Sequence, residues 1–126
     1  MSYEFIHKEL AAGKWRELTL MEQLGNVGSE VGRTILWKKK GDTDQSRKAF
    51  ERALELMDLT IQDPKNRYRL KEICRCRELL VDYFVYDNIY GSSDELWEKY
   101  FYAFAYAARM QHYQKTNAEK TENNEE

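Results

Sequence analysis

Apolar residues recur every three or four positions along four stretches of the chain, the spacing of one face of an α-helix. The stretches run from 19 to 40, from 42 to 62, from 63 to 91 and from 92 to 113. No stretch alternates apolar and polar residues in the manner of a strand, and no internal repeat is present. The pattern predicts an all-α protein, an antiparallel up-down bundle of four helices joined by short connections.

Helix start and stop signals divide the chain at the same places. Each helix is preceded by a side chain that can cap it: Thr19 with Glu22 as a capping box, Asp42 or Thr43, Asp63 with Pro64, and the Ser-Ser-Asp-Glu run at 92–95. Three lysines and Gly41 close the first helix, and Gly91 closes the third.

The chain is predicted to have three parts, of which the middle one contains the helical pattern. Residues 1–17 are expected to be an N-terminal arm or short helix packed on the bundle, with Gly13 as a break. Residues 18–113 form the bundle. Residues 114–126 are polar and lack aromatic residues, so we expect a disordered tail.

Amino-acid composition narrows the class of protein and its expected cellular compartment. A chain of 126 residues with a single proline and 33% charged residues suggests one helical domain. No run approaches the roughly 20 apolar residues of a membrane span, and the first residues do not read as a signal peptide. The two cysteines, Cys74 and Cys76, point about 200° apart on a helix and are expected to be reduced thiols. We therefore expect a cytoplasmic protein.

Three of the six glycines fall within the first predicted helix. A glycine inside a helix costs about 1 kcal/mol relative to alanine, so the concentration needs a reason. Gly25, Gly28 and Gly32 lie at i, i+3 and i+7 and share one face. This face permits either close approach of another helix or contact with a flat ligand, and we interpret it as a close-packing face. A Gly28→Leu variant is then expected to disrupt the bundle.

Tyrosines are concentrated in the second half of the chain, where eight of the nine lie at or after Tyr68. A monomeric bundle needs one apolar stripe per helix, yet the last two predicted helices carry tyrosines outside that stripe. Tyrosine suits interfaces because its ring is apolar and its tip is polar. We expect an interface, either for a homo-oligomer or for a protein partner, formed by Tyr83, Tyr86, Tyr90, Tyr102 and Tyr106. The alternative is that the N-terminal arm covers this face.

The charge is segregated along the chain. Residues 33–77 carry 13 basic and 7 acidic groups, and residues 78–108 carry 1 and 6. One interpretation is pairing between neighbouring helices. The other is a basic surface with an interleaved aromatic ring that binds RNA or DNA, because arginine and lysine contact phosphates and an aromatic ring stacks on a base. Its candidate residues are Lys38, Lys39, Arg47, Lys65, Arg67, Tyr68, Arg69 and Arg75.

Carboxylates on the second and third helices offer a weaker signal. Glu51, Glu55 and Asp58 could face Glu78 and Asp82 around Mg²⁺, which faintly resembles the all-helical nucleoside-triphosphate pyrophosphohydrolases. The set lacks their tandem glutamates. The histidines do not form paired Glu-x-x-His motifs, and no catalytic triad is evident. We expect a non-enzymatic protein with no cofactor and no metal.

Two runs carry a resemblance by architecture, WRELTLMEQLGNVGSEVGR and RCRELLVDYFVYDNIYGSSDELWEKYFYAFAYAAR. They have the look of an uncharacterised prokaryotic four-helix family. Over residues 19–113 the chain resembles the four-helix proteins encoded in ribosomal-RNA intervening sequences and the accessory variability proteins of diversity-generating retroelements. That resemblance implies an oligomer that binds nucleic acid or a nucleic-acid enzyme such as a reverse transcriptase.

These observations lead to three alternatives. The first is a helical accessory or adaptor protein that self-associates and binds nucleic acid or a nucleic-acid enzyme. The second is a protein-interaction module that does not bind nucleic acid. The third is a magnesium-dependent nucleotide pyrophosphohydrolase.

Overall fold

The computed structural model describes residues 13–124, and these residues form four α-helices and two short 3-10 helices without a strand. The α-helices are α1 (Leu20–Lys39), α2 (Thr43–Gln62), α3 (Leu70–Phe84) and α4 (Asp94–Asn124). The 3-10 helices span Lys14–Glu17 and Pro64–Arg69. The prediction of an all-α protein with four helices is confirmed.

The first two helices begin at the predicted caps. At the start of α1 the Glu22 backbone N–H donates to Thr19 Oγ1 at 3.2 Å, and the Thr19 N–H donates to Glu22 Oε1 at 2.9 Å. These reciprocal bonds form a capping box. Asp42 caps α2 by accepting the Gln45 N–H at 3.0 Å. Both caps satisfy backbone donors that have no partner inside the helix.

The third helix is shorter than predicted at both ends. Asp63 caps the 3-10 helix Pro64–Arg69, and α3 begins only at Leu70. It ends at Phe84 instead of 91 because the following loop is held in another conformation. The Asp82 carboxylate accepts the backbone N–H groups of Ile89 and Tyr90 at 3.1 and 3.2 Å. Asn88 adopts the left-handed region with φ 53°, a conformation that asparagine tolerates.

The fourth helix is longer than predicted, because α4 continues to Asn124 through residues expected to be disordered. Alanine, glutamate, lysine and glutamine in this segment all favour helix. Two hydroxyls, of Thr116 and Thr121, bond to carbonyls four residues earlier at 3.0 Å. The side chains described beyond 113 are almost all exposed, so intrinsic helix propensity rather than core packing accounts for this extension.

The segment before α1 packs on the bundle through Trp15, which is 2% exposed. Its indole N–H donates to Thr60 Oγ1 on α2 at 3.0 Å. Gly13 has φ 117°, a left-handed value that favours glycine. This part of the predicted arm is therefore fixed to the bundle, and residues 1–12 lie outside the described residues.

Helix α1 is the central element, packing along both α2 and α4, and α2 also packs against α3. Apolar residues from all four helices meet in one core, including Val27, Met57, Leu80 and Phe101. One end of the core contains a polar cluster around the fully buried Gln23. Gln23 Nε2 donates to the Trp15 carbonyl and to Asp63 Oδ2, both at 2.9 Å, and its Oε1 accepts from Asn66 at 2.8 Å.

Candidate interaction surface

The three glycines of α1 lie in three different environments. A Cβ at Gly28 would lie 2.6 Å from Phe101 Cβ, so only glycine permits this approach of α4. At Gly25 the nearest atom would be Ala105 Cα at 3.5 Å, which is ordinary contact. At Gly32, apart from the backbone of α1 itself, no described atom would lie within 4 Å of an added Cβ. Close packing within the described chain therefore accounts for Gly28 and not for Gly32, where packing against another helix stays a prediction.

The open part of this face forms a groove of about 230 Å³ between α1 and α4. Its α1 wall includes Gly25, Ser29 and Gly32, and its α4 wall includes Tyr102 and Ala105. A second depression shares Tyr102 and continues along α4 toward its C-terminal end. We call these two together the α1–α4 groove. It joins the small residues of α1 directly to the tyrosines of α4.

An exposed aromatic face lies on α4 beside this groove. Tyr102, Tyr106 and Tyr113 are 63, 51 and 61% exposed, and Met110 lies between them in sequence and is also exposed. The rings of Tyr102 and Tyr106 stack with centroids 6.5 Å apart, and the Arg109 guanidinium lies 5.8 Å from the centroid of Tyr102. We call Tyr102, Tyr106, Met110 and Tyr113 the α4 tyrosine face.

The other three predicted interface tyrosines do not form a stripe on α3. Tyr83 is on the helix and half-buried, whereas Tyr86 and Tyr90 lie in the loop after it and are exposed. Tyr90 is covered on one side by the Arg75 guanidinium, 4.6 Å from its ring centroid. The early end of α3 separates these rings, so the predicted five-tyrosine interface divides into the α4 pair and scattered positions.

Tyr83 belongs to a polar cluster that joins α1, α3 and α4. Its hydroxyl donates to Asp94 Oδ1 at 2.6 Å, and Lys38 Nζ bonds to both the hydroxyl and the carboxylate at 3.1 Å. Burial raises the pKa of Tyr83, and the bond to Asp94 raises it further. Burial alone would raise the pKa of Asp94, but the bonds from Tyr83 and Lys38 outweigh it and hold that pKa below its ordinary 3.8. Burial lowers and these bonds raise the pKa of Lys38, with a net upward shift.

Seven of the eight predicted nucleic-acid residues are divided between the two ends of the bundle, and the eighth, Arg75, lies on α3. Lys38, Lys39 and Arg47 lie where α1 meets α2. The residues from Lys65 to Arg69 follow α2 at the opposite end, where Asn66 bonds to Gln23 near the start of α1. With a rise of 1.5 Å per residue, positions 23 and 38 are about 22 Å apart along α1. The two groups therefore do not form one continuous patch.

Most of these cations also have acidic neighbours. The pairs within the predicted set are Lys38–Asp94, Lys39–Glu98, Arg47 with Asp44 and Glu51, Lys65–Asp63, Arg69–Glu72 and Arg75–Glu78. Further pairs, Arg52–Glu30 and Arg77–Asp58, connect neighbouring helices at 3.2 and 2.8 Å. Pairing between helices thus accounts for part of the charge segregation. Arg67 and Tyr68 remain exposed on the 3-10 helix, Tyr68 by 77%.

The carboxylates considered for magnesium are not brought together. Asp58 pairs with Arg77, Glu78 with Arg75 and Glu51 with Arg47, while Asp82 caps the loop after α3. Over the part of the chain that the structure describes, no three histidine, cysteine or acidic residues are grouped so as to hold a metal ion.

A further cavity lies between α3 and α4 and was not predicted from the sequence. It has a volume of about 390 Å³ and is lined by Leu79, Leu96 and Trp97 together with Cys76 and Tyr100. Burial raises the pKa of Cys76 to about 12, although a hydrogen bond with Tyr100 acts in the opposite direction. The aromatic residues Trp97 and Tyr100 are the signal in the sequence that accompanies this cavity.

Comparison with protein-family models, with curated proteins and with solved structures gives no match for this chain. Within residues 13–124, no helix has both the length and the apolar character that crossing a membrane requires.

Proposed function

We propose that this chain is a non-enzymatic helical adaptor protein that self-associates through the α4 tyrosine face. The observation that carries the proposal is the exposure of Tyr102, Tyr106 and Tyr113 on one helix, next to an open groove. Tyrosine and methionine are enriched in protein interfaces, whereas charged residues are depleted from interface centres. Association would remove these rings from water without reorganising the core.

The size of the face is consistent with part of a protein interface. An aromatic side chain buries about 150–250 Å² when fully covered. At the exposures observed, the three tyrosines present roughly 300–400 Å² of removable surface. A typical stable interface buries about 800 Å² on each partner, so the tyrosines supply close to half of one side and neighbouring residues must supply the rest.

Residue pairs in and next to the helices support the predicted antiparallel up-down arrangement that displays this face. Between α1 and α2 the pairs are Thr34–Ser46, Glu30–Arg52 and Gln23–Asp63. Between α2 and α3 they are Phe50–Phe84 and Asp58–Arg77. Between α1 and α4 they are Lys38–Asp94, Gly28–Phe101 and Thr19–Gln111. In each case residue numbers rise along one helix as they fall along the other.

Mass measurement tests the proposal. Light scattering after gel filtration should give a mass above 15.1 kDa for the full chain and a mass near 15.1 kDa for the Tyr102→Glu, Tyr106→Glu double variant. The matched control is Tyr68→Glu with Tyr86→Glu, which alters two exposed tyrosines away from α4 and should leave the mass unchanged. A monomeric wild type, or equal oligomers in both double variants, rejects the α4 tyrosine face as the interface.

Binding to nucleic acid, or to a nucleic-acid enzyme such as a reverse transcriptase, stays a prediction of the sequence. The exposed Arg67 and Tyr68, close to Lys65, make the 3-10 helix Pro64–Arg69 the best-placed segment for phosphate and base contacts. Electrophoretic shifts of RNA and DNA at two salt concentrations test this prediction, because phosphate binding weakens steeply with salt. If neither RNA nor DNA shifts at low salt, the remaining hypothesis is a protein-interaction module that does not bind nucleic acid.

A further inference from the structure

Gly32 on α1 is exposed and has no packing partner among the described residues. The residues Gly25, Ser29, Gly32 and Leu36 follow at spacings of four, three and four, so they form one continuous stripe along the helix. Three of them are small, Leu36 is 48% exposed, and Gly25, Ser29 and Gly32 line the α1–α4 groove. The intramolecular packing that explains Gly28 does not extend to Gly32.

We infer that the α1–α4 groove receives the α4 tyrosine face of a second copy of this chain. This inference rests on the proposed self-association and specifies its geometry. The groove and the face share Tyr102, so a second copy related by a two-fold axis can place its tyrosines in this groove while its own groove receives the tyrosines of the first. Small residues on α1 then accommodate the bulky rings, as large and small residues alternate in well-packed contacts.

The charges along α4 favour an antiparallel approach of the two copies. Before the tyrosine face, residues 94–99 carry three acidic groups and one basic group, Lys99, whereas Arg109 and Lys115 lie near its other end. In an antiparallel pair the acidic end of one α4 lies near the basic end of the other, whereas a parallel pair places like charges together.

A substitution at Gly32 separates this geometry from self-association in general. Gly32→Leu places its Cβ where, apart from the backbone of α1 itself, no described atom lies within 4 Å, and Gly32 is exposed, so the monomer should fold with an unchanged or higher thermal midpoint. The same side chain should obstruct the partner's rings and raise the Kd of the oligomer about tenfold or more, measured by sedimentation equilibrium. Lys48→Leu adds the same side chain at an exposed position on α2 and should leave the Kd unchanged.

The outcomes distinguish the two proposals. A monomeric wild type rejects both. If the wild type associates and the Tyr102→Glu, Tyr106→Glu variant does not, but Gly32→Leu associates as tightly as wild type or more tightly, then self-association holds and the groove is not its site. A higher Kd for Gly32→Leu, with an intact thermal midpoint and an unaffected Lys48→Leu control, supports the groove.

Discussion

The same substitution at two glycines of α1 should change stability in opposite directions. Replacing Gly32 by alanine adds a methyl group to open space, whereas replacing Gly28 by alanine places Cβ 2.6 Å from Phe101 Cβ. Carbon atoms are in optimal contact at about 3.5–4.0 Å, so α1 and α4 must separate by roughly 1 Å to admit the Gly28→Ala methyl group. The obstacle is the Cβ atom of Phe101, which is bonded to the backbone and is not moved by rotation of the side chain.

The magnitudes follow from two terms. Each glycine-to-alanine change gains about 1 kcal/mol of helix propensity. Overpacking a well-packed contact costs about 1–3 kcal/mol. Gly32→Ala should therefore raise the free energy of unfolding by about 1 kcal/mol, whereas Gly28→Ala should leave it unchanged or lower it by up to about 2 kcal/mol. Because propensity is common to both variants, their difference, about 1–3 kcal/mol, measures the packing term at Gly28.

Urea and thermal unfolding of both variants measure this difference. A change of 1 kcal/mol shifts the thermal midpoint of a chain of this size by about 3–6 °C. The two variants should be compared at the lowest workable protein concentration, because self-association also raises the apparent thermal midpoint. Equal stabilisation of both variants would refute the reasoning, since it would mean that α4 does not approach α1 closely at Gly28. Gly28→Leu should destabilise more than Gly28→Ala.

Three further predictions test other parts of the structure. Trp15→Ala should lower the free energy of unfolding by about 3–5 kcal/mol because the ring is buried in the core, and a loss below about 1 kcal/mol in urea unfolding would contradict that packing. The lowered pKa of Asp94 contributes stability above its ordinary pKa of 3.8, and this contribution is lost as pH falls through the lower folded value. Asp94→Asn should therefore be less sensitive than wild type to acid below pH 3.8 in pH-dependent unfolding, and parallel curves would contradict the shift. Iodoacetamide should modify Cys74 and leave Cys76 unmodified in the folded protein, since burial raises the pKa of Cys76 to about 12. Mass spectrometry of the labelled peptides measures this, and labelling of Cys76 in preference to Cys74 would contradict the prediction.

Local signals in the sequence were sufficient to predict where the helices with strong caps begin. Thr19 with Glu22, and Asp42, each satisfy backbone donors of their own helix, so their effect can be read without knowing what lies elsewhere. The end of α3 could not be read in this way. The apolar rhythm through Ile89 is helical, but the Asp82 carboxylate bonds to the N–H groups of the loop, and Ile89 is left 75% exposed.

Which charged residues pair with each other also could not be predicted from the sequence. Segregated charge could be read as a basic surface or as pairing between helices. Arg52 lies against Glu30 and Arg77 against Asp58 only because α2 packs between α1 and α3. The buried cluster around Gln23 was missed for the same reason, since its partners come from the segment before α1, the end of α2 and the following 3-10 helix.

The sequence by itself determined the fold class, the helix count and the shared face of the three glycines, because helical periodicity and capping act between residues close in the chain. Only the tertiary structure decided what each glycine does. Gly28 admits Phe101, Gly25 makes ordinary contact with Ala105, and Gly32 lines an open groove. The three differ because α4 presents Phe101 to Gly28, Ala105 to Gly25 and no close atom to Gly32, and what a neighbouring helix presents is not encoded in the periodicity of α1.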